Sequence, residues 1–350
     1  MVRFSGLKAR IAQWEMAIAR DQKNMANWLA RRFAPPGKVT KTSEITQMKF
    51  IPQRLQLLAT FLTVVAFAPG VFAQVKHLVV IGVDGLSPDG IRHADAPNFK
   101  RLQEQGAWTF HARGVMPTSS SPNWASMIMG AGPEQHGVTS NDWQPNKFDI
   151  APIAVGSGGI FPTIFGVLRE QQPAAVMGVF HDWNDFGRLF ERKAVNVIKD
   201  SDGPTNAVWE AVAFWKDNKA TFTFIHLDHV DHAGHEFGHG TPEYYASVAV
   251  ADQLIGETIA ALRAAGMWEH TILIVTADHG GKGKGHGGAT MGEIEIPWII
   301  TGPGVKAGHE IKSPVSTCDT AATIAYVFKL KPPDVWIGRP VREAFKAGAN

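Results

Sequence analysis

Five stretches of the chain are apolar at nearly every position: "HLVVIGVD" (77–84), "AAVMGVF" (174–180), "ATFTFIHLD" (220–228), "TILIVTAD" (271–278) and "IPWIITG" (296–302). A strand with one face in water alternates apolar and polar residues, whereas a parallel strand covered on both faces has no reason to. The five runs are therefore expected to be buried parallel strands. The spacing between them is helical. The clearest case is Pro242 to Ala265, with Thr241 as N-cap, Pro242 at the first helical position and Gly266 as the stop. Its apolar positions Val248, Ala251, Leu254, Ile255, Ile259 and Leu262 fall on one helical face. Strand and helix in alternation predict an α/β fold, a doubly wound, mostly parallel central sheet with helices on both faces.

Three of the runs end in acid. Ile81-Gly82-Val83-Asp84-Gly85 places an aspartate at a strand's C-terminal end. Val275-Thr276-Ala277-Asp278-His279-Gly280 places Asp-His there, and "IHLDHVDHAGH" does so a third time. Ligands of open α/β sheets bind at this edge. Carboxylates converging there unpaired would repel one another, so metal is the natural counter-charge. Asp84, Asp231, Asp278, His235, His279 and His286 divide into two sites of nitrogen and oxygen donors, the composition expected for paired Zn²⁺. Two such ions can clamp the attacking and leaving oxygens of an in-line displacement, which is phosphoryl or sulfuryl transfer chemistry.

"HVDHAGHEFGHG" (229–240) complicates this picture, because it contains the H-E-x-x-H string of zinc proteases. That signature needs a helix to bring both histidines to one face. Glycines at 234, 238 and 240, followed by Pro242, argue for a loop instead. In a loop, Asp231 and His235 are the pair that matters, and Glu236 and His239 are spectators. A hydroxyl run, Thr118-Ser119-Ser120-Ser121, precedes Pro122-Asn123 and a helical stretch from about Trp124. A hydroxyl at a helix N-terminus can serve as a nucleophile next to N–H groups that hold a phosphate; it can equally be a simple N-cap. His136 reads as a turn histidine, and Lys282 and Lys284 as a solvated glycine-rich loop.

Charge and processing signals change where the folded body begins. Met48-Lys49 and Arg54 precede the apolar run Leu57 to Ala68 and the exit "PGVFA", with Val71 and Ala73 at the −3 and −1 positions. This is a signal-peptide pattern, and its apolar core is shorter than the roughly 20 residues of a membrane span. The expected organisation is a mis-annotated extension over 1–47, a signal peptide over 48–73 and a single catalytic domain over 74–350, exported to a periplasm or secreted. Of 34 Lys/Arg and 32 Asp/Glu, eleven and three lie before residue 74, so the remainder carries a net charge of −6 and all 14 histidines. A mildly acidic body argues against non-specific nucleic-acid binding, and no stable membrane insertion is expected. Cys318 is the single cysteine, so the chain has no internal disulfide.

Taken in order, "VDG", "PTSSSPN", "GPEQHGV", "DHAGHEFG", "TADHGG…HGG" and the tail "DTAATIAYVFKLKPP…GRPV" resemble the alkaline phosphatase superfamily, nearest its type I phosphodiesterase/nucleotide pyrophosphatase branch, over about residues 77 to 340. The resemblance implies one zinc held by Asp84, Ser120, Asp278 and His279 and a second by Asp231, His235 and His286. It makes Ser120 the nucleophile, with Asn141 and the backbone N–H near Ser121 holding phosphate oxygens. Two departures stand out. Ser120 replaces the usual threonine, leaving Thr118, Ser119 and Ser121 as alternatives. Ser121 replaces an aromatic that stacks on the base in nucleotide-cleaving relatives; Trp124 and Trp143 read as packing. The implied activity is hydrolysis of small-molecule phosphate esters, diesters or pyrophosphate bonds. A phosphomonoesterase or sulfatase is the alternative within the superfamily, although no arginine completes a C/S-x-P-x-R sulfatase motif. A noncatalytic, metal-stabilised binding protein is the reading from another class.

Overall fold

The computed structural model describes residues 74–348. The expected extension over 1–47 and the expected signal peptide over 48–73 lie outside the described residues. Eight strands form one sheet in the order β4-β3-β5-β1-β6-β7-β2-β8. They are β1 (His77–Val83), β2 (Ala107–Arg113), β3 (Met177–His181), β4 (Val197–Asp200), β5 (Phe222–Leu227), β6 (Thr271–Thr276), β7 (Glu295–Thr301) and β8 (His309–Glu310). The first five in spatial order are mutually parallel, β7 runs against both β6 and β2, and β8 is parallel to β2. This is the α/β class with a mostly parallel sheet that the sequence predicts.

The five expected strands all form. The expectation of parallel pairing fails for "IPWIITG", which is antiparallel β7. Six of its seven residues are buried, so it reads like its parallel neighbours. Burial on both faces, not strand direction, makes a run continuously apolar. The pattern missed β2, β4 and β8. The last two are sheet-edge strands whose exposed and half-buried residues carry no apolar run.

Register fixes the position of the site. β1 pairs with β5 through Val83↔Leu227 and with β6 through Gly82↔Thr276. The three strands therefore end level, and the residues that follow them, Asp84, Asp228 and Asp278, emerge at one edge. Helix Pro242–Ala264 starts as its sequence predicts, with the Thr241 hydroxyl accepting from the Tyr244 N–H and Pro242 in the first turn. It buries Val248, Ala251, Leu254, Ile255 and Leu262 and places Tyr244 beneath the β1 exit. There the Tyr244 hydroxyl donates to the Gly85 carbonyl at 2.8 Å and accepts from the Ser87 N–H at 3.0 Å.

Candidate active site

Asp84 enters the site on a backbone that only glycine permits on either side. A Cβ on Gly82 would meet the Trp124 ring at 2.5 Å, so glycine leaves room for the indole against β1. Gly85 has φ +67°, and a Cβ there would meet the Asp231 Cα at 2.7 Å. This close approach joins the β1 and β5 exits. Trp124, read from sequence as packing, also has a polar role: its Nε1–H donates to Asp84 Oδ2 at 3.0 Å.

Ser120 is the first residue of helix Ser120–Met129, every residue of which is buried. The helix begins four residues earlier than the sequence reading placed it. Ser119 is the N-cap but makes no side-chain cap bond, so the hydroxyl run is not explained by capping. Asn123 shapes the approach instead. Its Oδ1 accepts from the Val115 N–H at 2.7 Å, and its Nδ2 donates to the carbonyls of Pro117 and Ser119 at 3.0 and 2.9 Å. Ser120 Oγ then lies 3.2 Å from His279 Nε2. The Thr118 hydroxyl is turned away onto the Gly288 carbonyl at 2.8 Å. The Ser121 N–H donates to Asn141 Oδ1 at 2.8 Å, and the Ser121 hydroxyl is buried without a partner. Asn141 is in turn tied by its carbonyl to the Arg188 guanidinium.

The segment 229–240 is not the loop its glycines suggested. Helix His229–Phe237 forms, so Asp231 and His235 stand one turn apart on a single face, 3.1 Å from each other. Gly234 lies inside this helix because a Cβ there would meet the His239 ring at 2.3 Å, a tertiary demand that outweighs helix propensity. The helix ends at Phe237, with Gly238 at φ +108°. His239 therefore lies beyond it and cannot share a helical face with His235, so the zinc-protease geometry does not form. Glu236 faces His232 at 3.7 Å on the surface. His239 is less of a bystander than expected. Its side chain is buried 4.0 Å from Asp231, and neither ring nitrogen has a partner.

All six Asp and His residues picked from sequence converge. Asp84, Asp278 and His279 offer donor atoms within 4.8 Å of one another, as do Asp231, His279 and His286. His286 Nε2 is 3.1 Å from His235 Nε2, and the rings of His279 and His286 stack at 3.8 Å. Three tautomers are fixed the same way. His235 Nδ1 faces the Lys284 carbonyl at 3.0 Å, His279 Nδ1 that of Gly280 at 2.7 Å and His286 Nδ1 that of Thr118 at 2.9 Å. A carbonyl only accepts, so each Nδ1 carries a proton and Nε2 is the nitrogen turned into the site. Asp84 Oδ1, Asp231 Oδ1 and Asp278 Oδ2 are buried there without hydrogen-bond partners. Burial, with the charges of Asp84 and Asp231, pushes the Asp278 carboxyl well above its ordinary range. A buried set of lone pairs and unpaired carboxylate oxygens is what a divalent cation requires, so the residues fit the two ions implied by the sequence.

His136 is a structural residue, as expected. It is buried, bonds the Ser126 hydroxyl at 2.9 Å and accepts from the Val138 N–H at 3.0 Å. The sequence reading missed His226 and Asp182. His226 lies inside β5, where a buried histidine gives no periodic signal, and bridges Asp182 and Asp84. Asp182 directly follows β3, so the rule that strands end in acid would have found it had β3 been read one residue further.

The family model for type I phosphodiesterases/nucleotide pyrophosphatases matches residues 78–157 and 166–283. The chain belongs to this family. The matched span includes Asp84, Ser120, Asn141, Asp231, His235, Asp278 and His279, while His286 lies just past it. Human bis(5'-adenosyl)-triphosphatase ENPP4 is 21% identical over 240 residues, 58% of this chain and 47% of that protein. Arylsulfatase K of Danio rerio is 38% identical over 86 residues, 23% of this chain and 16% of that one. The chain thus spans about half the length, or less, of these curated relatives. Among solved structures, inactive murine ectonucleotide pyrophosphatase/phosphodiesterase 5 in complex with AMP superposes with a TM-score of 0.65 at 15% identity, covering 77% of this chain and all of that one. The phosphonate monoester hydrolase of Silicibacter pomeroyi gives 0.58 at 16% identity, covering 79% and 77%. At these identities the superpositions establish the shared fold.

Proposed function

We propose that this protein is a metal-dependent hydrolase of small phosphate diesters or pyrophosphate bonds that uses Ser120 as its nucleophile. One observation carries the reading. Three histidines turn their Nδ1–H groups onto backbone carbonyls and present Nε2 to buried carboxylate oxygens that have no other partner. Asp84, Ser120, Asp278 and His279 would hold one ion, and Asp231, His235 and His286 the other; zinc suits this donor set. When bound, such ions neutralise the converging carboxylates and lower the pKa of a coordinated hydroxyl or water.

The chain's own groups supply the rest. Ser120 Oγ attacks phosphorus in line; the bond to the leaving oxygen breaks and a phosphoserine forms. The Ser121 N–H and the Asn141 side chain, which bond each other in the free enzyme, turn to the non-bridging oxygens. Water then hydrolyses the phosphoserine and restores the hydroxyl. The resemblance to arylsulfatase K brings in a sulfatase as the second reading. Against it, Trp124 stands where C/S-x-P-x-R needs its arginine, and that tryptophan is committed to Asp84.

Ser121 offers no stacking platform for a nucleobase, so the proposed diester or pyrophosphate substrate need not carry a base. The proposal includes export, from the signal pattern over 48–73; N-terminal sequencing of the mature protein should start near residue 74. The deciding assay compares a bis-aryl phosphate diester, the matching monoester and the aryl sulfate, each with and without chelator. Faster, chelator-sensitive diester turnover supports the proposal. Preferential monoester or sulfate turnover would move the chain to the alternative activities, and no turnover despite bound metal would leave a binding protein.

A further inference from the structure

One histidine beside the site is oriented unlike the three described above. His226 Nδ1 lies 3.2 Å from Asp182 Oδ1 and its Nε2 lies 3.3 Å from Asp84 Oδ2. Both ring nitrogens thus face carboxylate oxygens and neither faces a carbonyl. Asp84, His226 and Asp228 also offer donor atoms close enough to surround a cation. A metal there would have to break one of the two carboxylate bonds of His226, so the arrangement does not favour a third ion.

We infer that His226 is a positioning residue for Asp84: braced by Asp182, it holds Oδ2 so that Oδ1 stays turned towards Asp278 and His279. This inference rests on the metal reading given above. The bracing is continuous. Asp182 Oδ1 also accepts from the Asp228 N–H at 2.7 Å, which fixes the far end of the relay to the β5 exit. The His226 ring has no freedom to turn, being fully buried against Trp124 at 4.8 Å, Phe186 at 5.2 Å and Trp183 at 6.1 Å. Trp124 supplies the second bond to Oδ2 at 3.0 Å. Two donors therefore share one oxygen of Asp84, while Oδ1, buried and without a hydrogen bond, lies 3.4 Å from His279 Nε2. A carboxylate fixed by one oxygen presents the other without losing rotational freedom on binding. Partners of this kind are typically worth about 10- to 100-fold in metal affinity or activity.

The test uses the full chain with Zn²⁺ alone, in buffers of defined free zinc, with bound zinc read by atomic emission. Wild type should take up two ions. His226→Phe keeps the ring volume but neither bond, and should weaken one of the two zinc affinities by about 10- to 100-fold while leaving the other unchanged. His226→Gln, which can still donate to Asp84, should recover part of that loss. A purely structural role would lower the melting temperature without separating the two affinities. Wild-type affinities at both sites in a folded His226→Phe protein would overturn the inference. If that variant does not fold, unchanged zinc binding in both His226→Gln and Asp182→Asn would overturn it equally. Failure of wild type to bind any zinc would instead overturn the metal reading on which the inference stands.

Discussion

Asp84 and His279 have side chains 1% and 0% exposed, whereas His235 is 47% exposed and its partner Asp231 11%. The two halves of the site thus meet the same problem, carboxylates gathered at a sheet edge, in different surroundings. In the outer half protons can stand in for a metal. Burial disfavours the Asp231 charge, but the bond to His235 and the charges of His279, His286 and His235 together outweigh it and bring that carboxyl down to about 2; the same bond raises His235 to about 9. Burial works against a charge on His226, but its bonds to Asp182 and Asp84 raise it to about 10, so the inner half draws compensating charge from outside the candidate ligands. Asp278 sits fully buried beside Asp84, and His279 is pushed below its ordinary range, by burial above all. A cation would therefore displace a shared proton in the outer half, and in the inner half it would meet groups whose charged forms burial disfavours. The difference arises because the inner residues follow strands buried in mid-sheet, while His235 is on a helix at the surface.

The largest expected effect comes from the residue between the halves. Ser120→Ala should lower diester turnover by at least about 10³-fold, the scale seen when a nucleophile is removed. Its melting temperature should stay close to wild type, and at saturating zinc the ion should still be held by Asp84, Asp278 and His279. Residual turnover within tenfold of wild type would move the nucleophile to a neighbouring hydroxyl. Next comes the contrast itself. Asp278→Asn should abolish zinc uptake by the inner half, whereas His235→Gln should weaken the outer half more mildly, because its ligands are already partly solvated. Equal losses measured by zinc titration would break the comparison.

A smaller effect separates protons from metal. In chelated protein, His235 titrates from 6.5 unfolded to about 9 folded. A raised folded value means that this stabilisation is complete below pH 6.5 and is lost as pH rises towards 9. The melting temperature of chelated protein should fall over that window, and less so in His235→Gln. In zinc-loaded protein the trend should vanish, since the ion replaces the proton. The smallest effect belongs to the misleading motif. Glu236→Ala should leave turnover within about twofold, because surface changes away from packed or bonded features are usually near neutral. A large loss there, with Asp231→Ala tolerated, would restore the protease-like reading.

Much of this was legible in the chain. Acidic strand ends and the histidines beside them gave Asp84, Asp231, His235, Asp278, His279 and His286, and the motif order assigned them to two sites and added Ser120 and Asn141; the structure brings all eight to one edge. Two kinds of feature were not legible. Helix His229–Phe237 was read as a loop because glycine propensity counts against it, and the ring of His239 that requires Gly234 is a tertiary partner. Trp124, His226 and Asp182 were missed as a group because their roles depend on strand order. β3, β5 and β1 are neighbours in the sheet but far apart in sequence.

The sequence by itself determined the class of fold and the chemical inventory. Continuous apolar runs specify buried strands wherever they end up, and acid at their ends specifies a polar sheet edge. Tertiary structure decided direction, register and orientation. It set β7 against its neighbours, levelled β1, β5 and β6 so that their acids meet, and chose which nitrogen of each histidine faces inward. Those choices depend on which carbonyl lies beside a ring: for His286 it is 168 positions away and for His235 it is 49, although for His279 it belongs to the next residue.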